Sequence, residues 1–226
     1  MAAISASRAN RTNRTSRTSR TSRMSRALGS LALCVACLAL GACGSAPRES
    51  FYTLNPVAPP SLAQNRQAAA SYSIAVGPVH VPEIVDRPQF VVRRGANRVE
   101  VLEQQRWAQP LQAEIAQAIA TGLAERLPQA RISFGAEAPG RNADYRIAVD
   151  VKRFEAVPGK EVVVQSIWTI RTATAKTPLV RQSTFREAAS GGGYDALAAA
   201  FARAVARTAG DIAETVSSLE HGGAPH

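Results

Sequence analysis

Residues 106–127 read RWAQPLQAEIAQAIATGLAERL, and the architecture hinges on this run. Trp107, Leu111, Ile115, Ile119, Leu123 and Leu127 recur every four residues, a spacing that lines one side of an α-helix. Pro110 falls in the first turn, where a missing amide is harmless, and Pro128 stops the run. The pattern predicts a helix over 106–127 whose apolar stripe needs a sheet to bury it. Trp107 reads as a core anchor at the helix entry rather than as a ligand platform.

On the N-terminal side, 98–102 and 89–93 read as two strands joined by Arg94-Gly95-Ala96-Asn97, a hairpin. Before them, PEIVDRP forms a charged turn, and 71–81 (SYSIAVGPVHV) is a strand interrupted at Gly77-Pro78, as at a bulge or an edge. FYTL at 51–54 reads as a short strand, and the proline-rich stretch after it as a loop.

On the C-terminal side, 130–134 is a short strand and GAEAPGRNA a loop. Tyr145, Ile147, Val149 and Val151 alternate with mostly polar residues along 144–156, and the alternation slips near Lys152, so a bulge is expected there. EVVVQSIWTIRT (161–172), after a Pro158-Gly159 turn, and LVRQSTFRE (179–187), after Pro178, extend the pattern to an antiparallel meander. Ser190-Gly191-Gly192-Gly193 reads as a flexible linker to a second helix, about 194–219, with Leu197, Phe201, Val205, Ile212, Val216 and Leu219 on its apolar face. The expected fold class is α+β: a mostly antiparallel sheet of about five to seven strands with two long amphipathic helices packed on one face.

Charge separates the chain's beginning from the rest. The 226 residues carry 27 basic against 17 acidic groups, a formal net charge of +10. Residues 1–42 hold seven arginines (Arg8, Arg11, Arg14, Arg17, Arg20, Arg23 and Arg26) and no acidic residue, which leaves 20 basic against 17 acidic groups, a net of +3, for the remainder. A body so near neutrality gives no electrostatic reason for binding nucleic acid. The arginine triplets lie in a Ser/Thr/Asn-rich leader with no apolar face, expected to be disordered. Met24 reads as the real start, with translated upstream repeat sequence before it; a basic arm beginning at Met1 is the competing reading.

From Met24 the order of features is that of a secretory signal: Arg26, then the uncharged run ALGSLALCVACLAL over 27–40. Fourteen residues are too few for a spanning helix, which takes about 20. The run ends in Leu40-Gly41-Ala42-Cys43, which resembles the bacterial lipobox, with Cys43 as the lipid attachment residue. Cys34 and Cys37 lie inside the apolar run and find no second pair to complete a redox or zinc site. With Gly44 and Ser45 after the cysteine instead of an aspartate, similarity to sorted lipoproteins implies the outer membrane.

Catalytic chemistry is poorly represented. Of three histidines, His221 and His226 fall in the tail, leaving His80 with Glu83 and Asp86 nearby, a set read as a strand end beside solvated turn carboxylates. No nucleophile elbow, zinc-protease helix or P-loop is present. The carboxylates Asp150, Glu155 and Glu161 carry no mark of an acid/base pair. The expectation is a protein that is not an enzyme, with no catalytic residues, metal or cofactor.

FYTL at 51–54, VGPVHVPEIVDRPQFVVR at 76–93, RWAQPLQAEIAQAIATGLAERL, VDVKRFE at 149–155, SIWTI at 166–170 and YDALAAAFARAVARTAGDIA at 194–213 together resemble the PqiC/YmbA-type ABC-type transport auxiliary lipoproteins. That resemblance implies an accessory subunit of an MCE-type lipid transport system that maintains envelope integrity, lipid-anchored in the outer membrane and facing the periplasm. It implies an MCE-domain protein as partner, with self-association left open. Glu83, Asp86, Arg87 and Gln89 of the PEIVDRPQ stretch are the candidate partner-binding residues; an internal hydrogen-bond network that merely shapes the loop is the competing reading of Asp86 and Arg87. The functional alternative is a structural envelope lipoprotein assisting outer-membrane or cell-wall assembly. The domain reading is a signal region over 1–42 (leader 1–23, lipoprotein signal peptide 24–42), a lipidated tether over 43–50, a periplasmic transport-auxiliary domain over 51–219 and a disordered tail over 220–226.

Overall fold

A strand, not a helix, occupies the start of the 106–127 run. The computed structural model describes residues 48–55, 70–135 and 142–222; Cys43, the signal region, Met24 and the final residues of the tail lie outside them. In chain order the elements are β1 (Ser50–Tyr52), β2 (Tyr72–His80), a 3-10 turn (Glu83–Val85), β3 (Gln89–Arg93), β4 (Val99–Trp107), α1 (Leu111–Arg126), β5 (Ala130–Phe134), β6 (Tyr145–Val157), β7 (Glu161–Thr172), β8 (Leu179–Ala188) and α2 (Tyr194–Glu220). Arg106 and Trp107 therefore end β4, five residues beyond the expected strand. The Trp107 amide donates to the Pro88 carbonyl at 2.7 Å, and the Ala108 amide to that of Tyr52 at 2.8 Å. Those bonds hold extended backbone up to Pro110, whose ring disfavours helical geometry in the residue before it.

The expectation of one mostly antiparallel sheet is corrected: the described residues form two mixed sheets, β1-β4-β3 and β5-β2-β6-β7-β8. The hairpin β3–β4 and the meander β6–β7–β8 are antiparallel as expected. However, β1 runs parallel to β4, and β2 runs parallel to both β5 and β6. The physical cause is connection length. Short turns force antiparallel neighbours, whereas α1 carries the chain back before β5, so β5 re-enters in the direction of β2. The expected irregularities are present: a register shift between Val76 and Val79 spans Gly77-Pro78, and one between Val151 and Arg153 surrounds Lys152. Gly159, at φ 71°, makes the β6–β7 turn.

Both helices bury apolar residues: Leu111, Ile115, Ile119 and Leu123 of α1, and Leu197, Phe201, Val205, Ile212 and Val216 of α2. α1 packs on β2 and β5, α2 on β7 and β8, and the helices pack on each other. A strict two-faced pattern does not describe α1, which exposes Ala113 and Ala124 and buries Glu114. Gly122 sets the helix separation. A Cβ there would lie 2.8 Å from that of Ala209, so the backbones meet where only hydrogen fits.

The two sheets are joined by aromatic rings. Phe90 of β3 stacks on Trp107 at 4.1 Å between centroids, and Phe154 of β6 stacks on Phe201 at 3.8 Å. Trp107 meets both of the latter edge-on, at 6.0 and 6.1 Å, and Tyr52 closes the column against Phe90. Such pairs add about 0.5–1.5 kcal/mol beyond area burial. Trp107 is thus a core anchor, but on a strand end.

Candidate functional site

The turn Pro82–Gln89 links the two sheets, since it leaves β2 of the larger and enters β3 of the smaller. Its shape is local. The Val85 and Asp86 amides donate to the Pro82 carbonyl at 3.0 and 3.1 Å, and the Arg87 amide donates to Val85 at 2.9 Å. Val85 is the buried pin of the 3-10 turn. Glu83, Asp86 and Pro88 are exposed, Arg87 and Gln89 half-buried. Between the carboxylates sits Ile84, an apolar side chain 47% exposed.

The four candidate residues do not form one network. Asp86 Oδ2 accepts from Gln112 Nε2 of α1 at 3.0 Å, and Gln89 Nε2 donates to Glu103 Oε2 at 3.3 Å. Arg87 Nε is buried without a partner among the described residues. Asp86 thus ties the turn to the helix, while Glu83 and Ile84 face solvent.

The groups weighed for catalysis are dispersed. His80 is exposed at the end of β2, opposite Asp150 in the parallel pairing. Among the described residues no group of three or more His, Cys, Asp or Glu gathers to hold a metal. Asp150 is paired with Lys152, Glu155 with Arg93 and Arg153, and Glu161 with Arg186. Each of these three carboxylates thus has a cation beside it. Ser190–Gly193 leads into α2 through Gly193, at φ 87° and with no side-chain cap.

Sequence reasoning missed Glu114. Its side chain is 0% exposed, and Oε2 alone accepts from Thr53 Oγ1 at 2.8 Å, the Leu54 amide at 2.9 Å and Asn55 Nδ2 at 2.9 Å. The FYTL segment is thereby clipped to the first turn of α1. A signal was present: Glu114 stands three residues after Leu111 and one before Ile115, on the apolar side of the helix. A second clip joins Trp168 Nε1 to Ser183 Oγ at 3.0 Å, whose hydroxyl donates in turn to Asp211. Among the described residues no helix is long and apolar enough to cross a membrane.

Two carboxylates give the fold an acid sensitivity. Asp144 is held below its ordinary value of 3.8 mainly by accepting from the Ser73 hydroxyl at 2.6 Å, with the Ser73 amide second. Glu155 is held below 4.5, first by Arg153 and, against the opposing effect of burial, by Arg93. A depressed folded-state pKa contributes stability above the unfolded value and loses it as pH falls through the folded one. The urea midpoint is therefore expected to decline below about pH 4.5, and Glu155→Gln to flatten that decline; an unchanged acid limb in the variant would remove Glu155 as its source.

The chain matches the model of the family described as "ABC-type transport auxiliary lipoprotein component" over residues 52–213. Two crystal structures share its fold. One, described as an uncharacterized protein, has a TM-score of 0.62 and 17% identity, covering 75% of this chain and 99% of its own. The other, a Xanthomonas campestris protein of the DUF330 family, has a TM-score of 0.57 and 18% identity, covering 76% and 97%. No curated protein shows significant similarity to the chain.

Proposed function

The chain belongs to the ABC-type transport auxiliary lipoprotein component family, and on that footing we propose that it is a non-enzymatic accessory subunit of an MCE-type lipid transport system that maintains envelope integrity. In this reading Cys43 carries the lipid anchor, the membrane is the outer one, and the domain faces the periplasm. Multiple acyl chains, at about 0.8 kcal/mol per buried CH2, make such an anchor durable. The partner is an MCE-domain protein, met by the PEIVDRPQ turn.

The observation that carries the docking surface is Ile84, an exposed aliphatic side chain between Glu83 and Asp86 on a turn tied to α1 by Gln112. An apolar tip set within a polar rim matches the core-and-rim arrangement of protein interfaces. Pre-organisation by the Asp86 contact lowers the ordering cost of binding.

The test is intact-mass analysis of the membrane-fraction protein with a crosslinked pull-down on the same sample. The expected result is a triacylated chain beginning at Cys43 together with an MCE-domain protein, and capture reduced about tenfold or more by Ile84→Asp, the size of a hot-spot loss. A mass retaining Arg8 to Arg26 without lipid would overturn the anchor. Recovery of peptidoglycan or a β-barrel assembly component instead would favour the structural envelope lipoprotein.

A further inference from the structure

Arg146 of β6 lies directly opposite Arg171 of β7. Both point away from the core face, since their neighbours Tyr145, Ile147 and Ile170 are the buried residues of the alternation. Like charges directly opposite across an antiparallel pair are unfavourable. Among the described residues neither arginine takes part in an ion pair, and Arg146 Nε is buried without a hydrogen-bond partner. The strand register thus sets two arginines opposite one another, and neither has an ion-pair partner among the described residues.

Arg146 also lines a groove of about 480 Å³ between the open end of β2 and the start of α1. The groove exists because β5 pairs with β2 only as far as Val76, and the Gly77-Pro78 bulge follows. Its walls are mainly apolar, from Val76, Pro78, Val79, Pro110, Ala113 and Ala116, with Gln112 and Arg146 as the polar side chains. A concave, largely apolar volume of this size with a few polar groups at one side suits a small amphiphile.

We infer that the Arg146–Arg171 pair and this groove form a binding site for a phosphate-headed amphiphile, the headgroup on the guanidinium groups and an acyl chain in the groove. Phosphate is the favoured anion because the planar fork of arginine offers it paired, charge-assisted donors, and its charge offsets the repulsion between the arginines. The inference deepens the lipid-transport reading and rests on it.

The test titrates the purified full chain by calorimetry with dihexanoyl phosphatidic acid, dihexanoyl glycerol and inorganic phosphate. The phosphatidic acid is expected to bind most tightly. Arg146→Gln should weaken it about tenfold or more, the loss of a charged hydrogen bond. Ala113→Trp, at an exposed position on the groove wall, should weaken it similarly while leaving any inorganic phosphate binding unchanged. Equal binding of the uncharged glycerolipid, or unaltered affinity in both variants, would overturn the site. Inorganic phosphate binding as tightly as the amphiphile would assign the arginines to free phosphate and overturn the role of the groove. Failure here with capture of the MCE-domain partner intact sinks this inference alone, whereas amphiphile binding without that partner sinks the docking reading alone.

Discussion

Phe201→Ala is expected to cost about 3–5 kcal/mol, the range for truncating a buried phenylalanine. Phe201 is 1% exposed, stacks on Phe154 at 3.8 Å and meets Trp107 edge-on at 6.1 Å. Truncation empties the place where α2, β6 and β4 meet, and the flat partner ring of Phe154 cannot collapse into the space without moving its strand. Since a domain is stable by only about 5–15 kcal/mol in total, the variant should lie near its unfolding threshold at 37 °C. Urea unfolding followed by Trp fluorescence checks it, with Phe201→Leu as the control that keeps an apolar side chain of intermediate volume. A loss no larger for Ala than for Leu would mean that the aromatic column relaxes freely and does not join the sheets.

Glu114→Leu is expected to destabilise the fold by about 2–4 kcal/mol, because a buried donor left without its acceptor loses its desolvation cost in full. Three donors converge on Glu114 Oε2, from Thr53, Leu54 and Asn55. The damage should be local first. Residues 48–55 lose their clip to α1, Leu54 leaves its buried site, and β1 is released from β4. Hydrogen exchange at the Leu54 amide reads this directly and should accelerate well before global unfolding. Glu114→Gln retains a side-chain oxygen and should fall between the two; a Leu variant as protected at Leu54 as the parent would show that the clip is dispensable.

The elements legible in the sequence were those with strong local patterns. The strand over 161–172 and that over 130–134 match residue for residue, and α2 begins at Tyr194 as read. Local pattern misjudged Trp107 because the four-residue spacing of a helix stripe is indistinguishable, for one residue, from a buried position at a strand end. Pro110 was compatible with either, and only the backbone bonds to Pro88 and Tyr52 settled the choice.

The candidate site divides in the same way. The turn at Pro82–Gln89 could be read because proline and paired charges announce it. Ile84 exposed at its tip, the partners that Glu114 clips in the FYTL segment and Arg146 against Arg171 could not, since each gains its meaning from a residue 25 or more positions away or from solvent exposure.

Composition, periodicity and turn chemistry thus sufficed for the α+β class, the meander and both helices, because these depend on interactions within a few residues of one another, whereas the family resemblance rested on the order of its motifs along the chain. Strand direction and sheet partition depended on long-range pairing. β2 lies between β5 and β6, parallel to both, because the return of α1 across the sheet and the packing of Phe90, Trp107, Phe154 and Phe201 outweigh the simpler hairpin order. Those contacts form only when distant segments are buried together, and no local pattern encodes them.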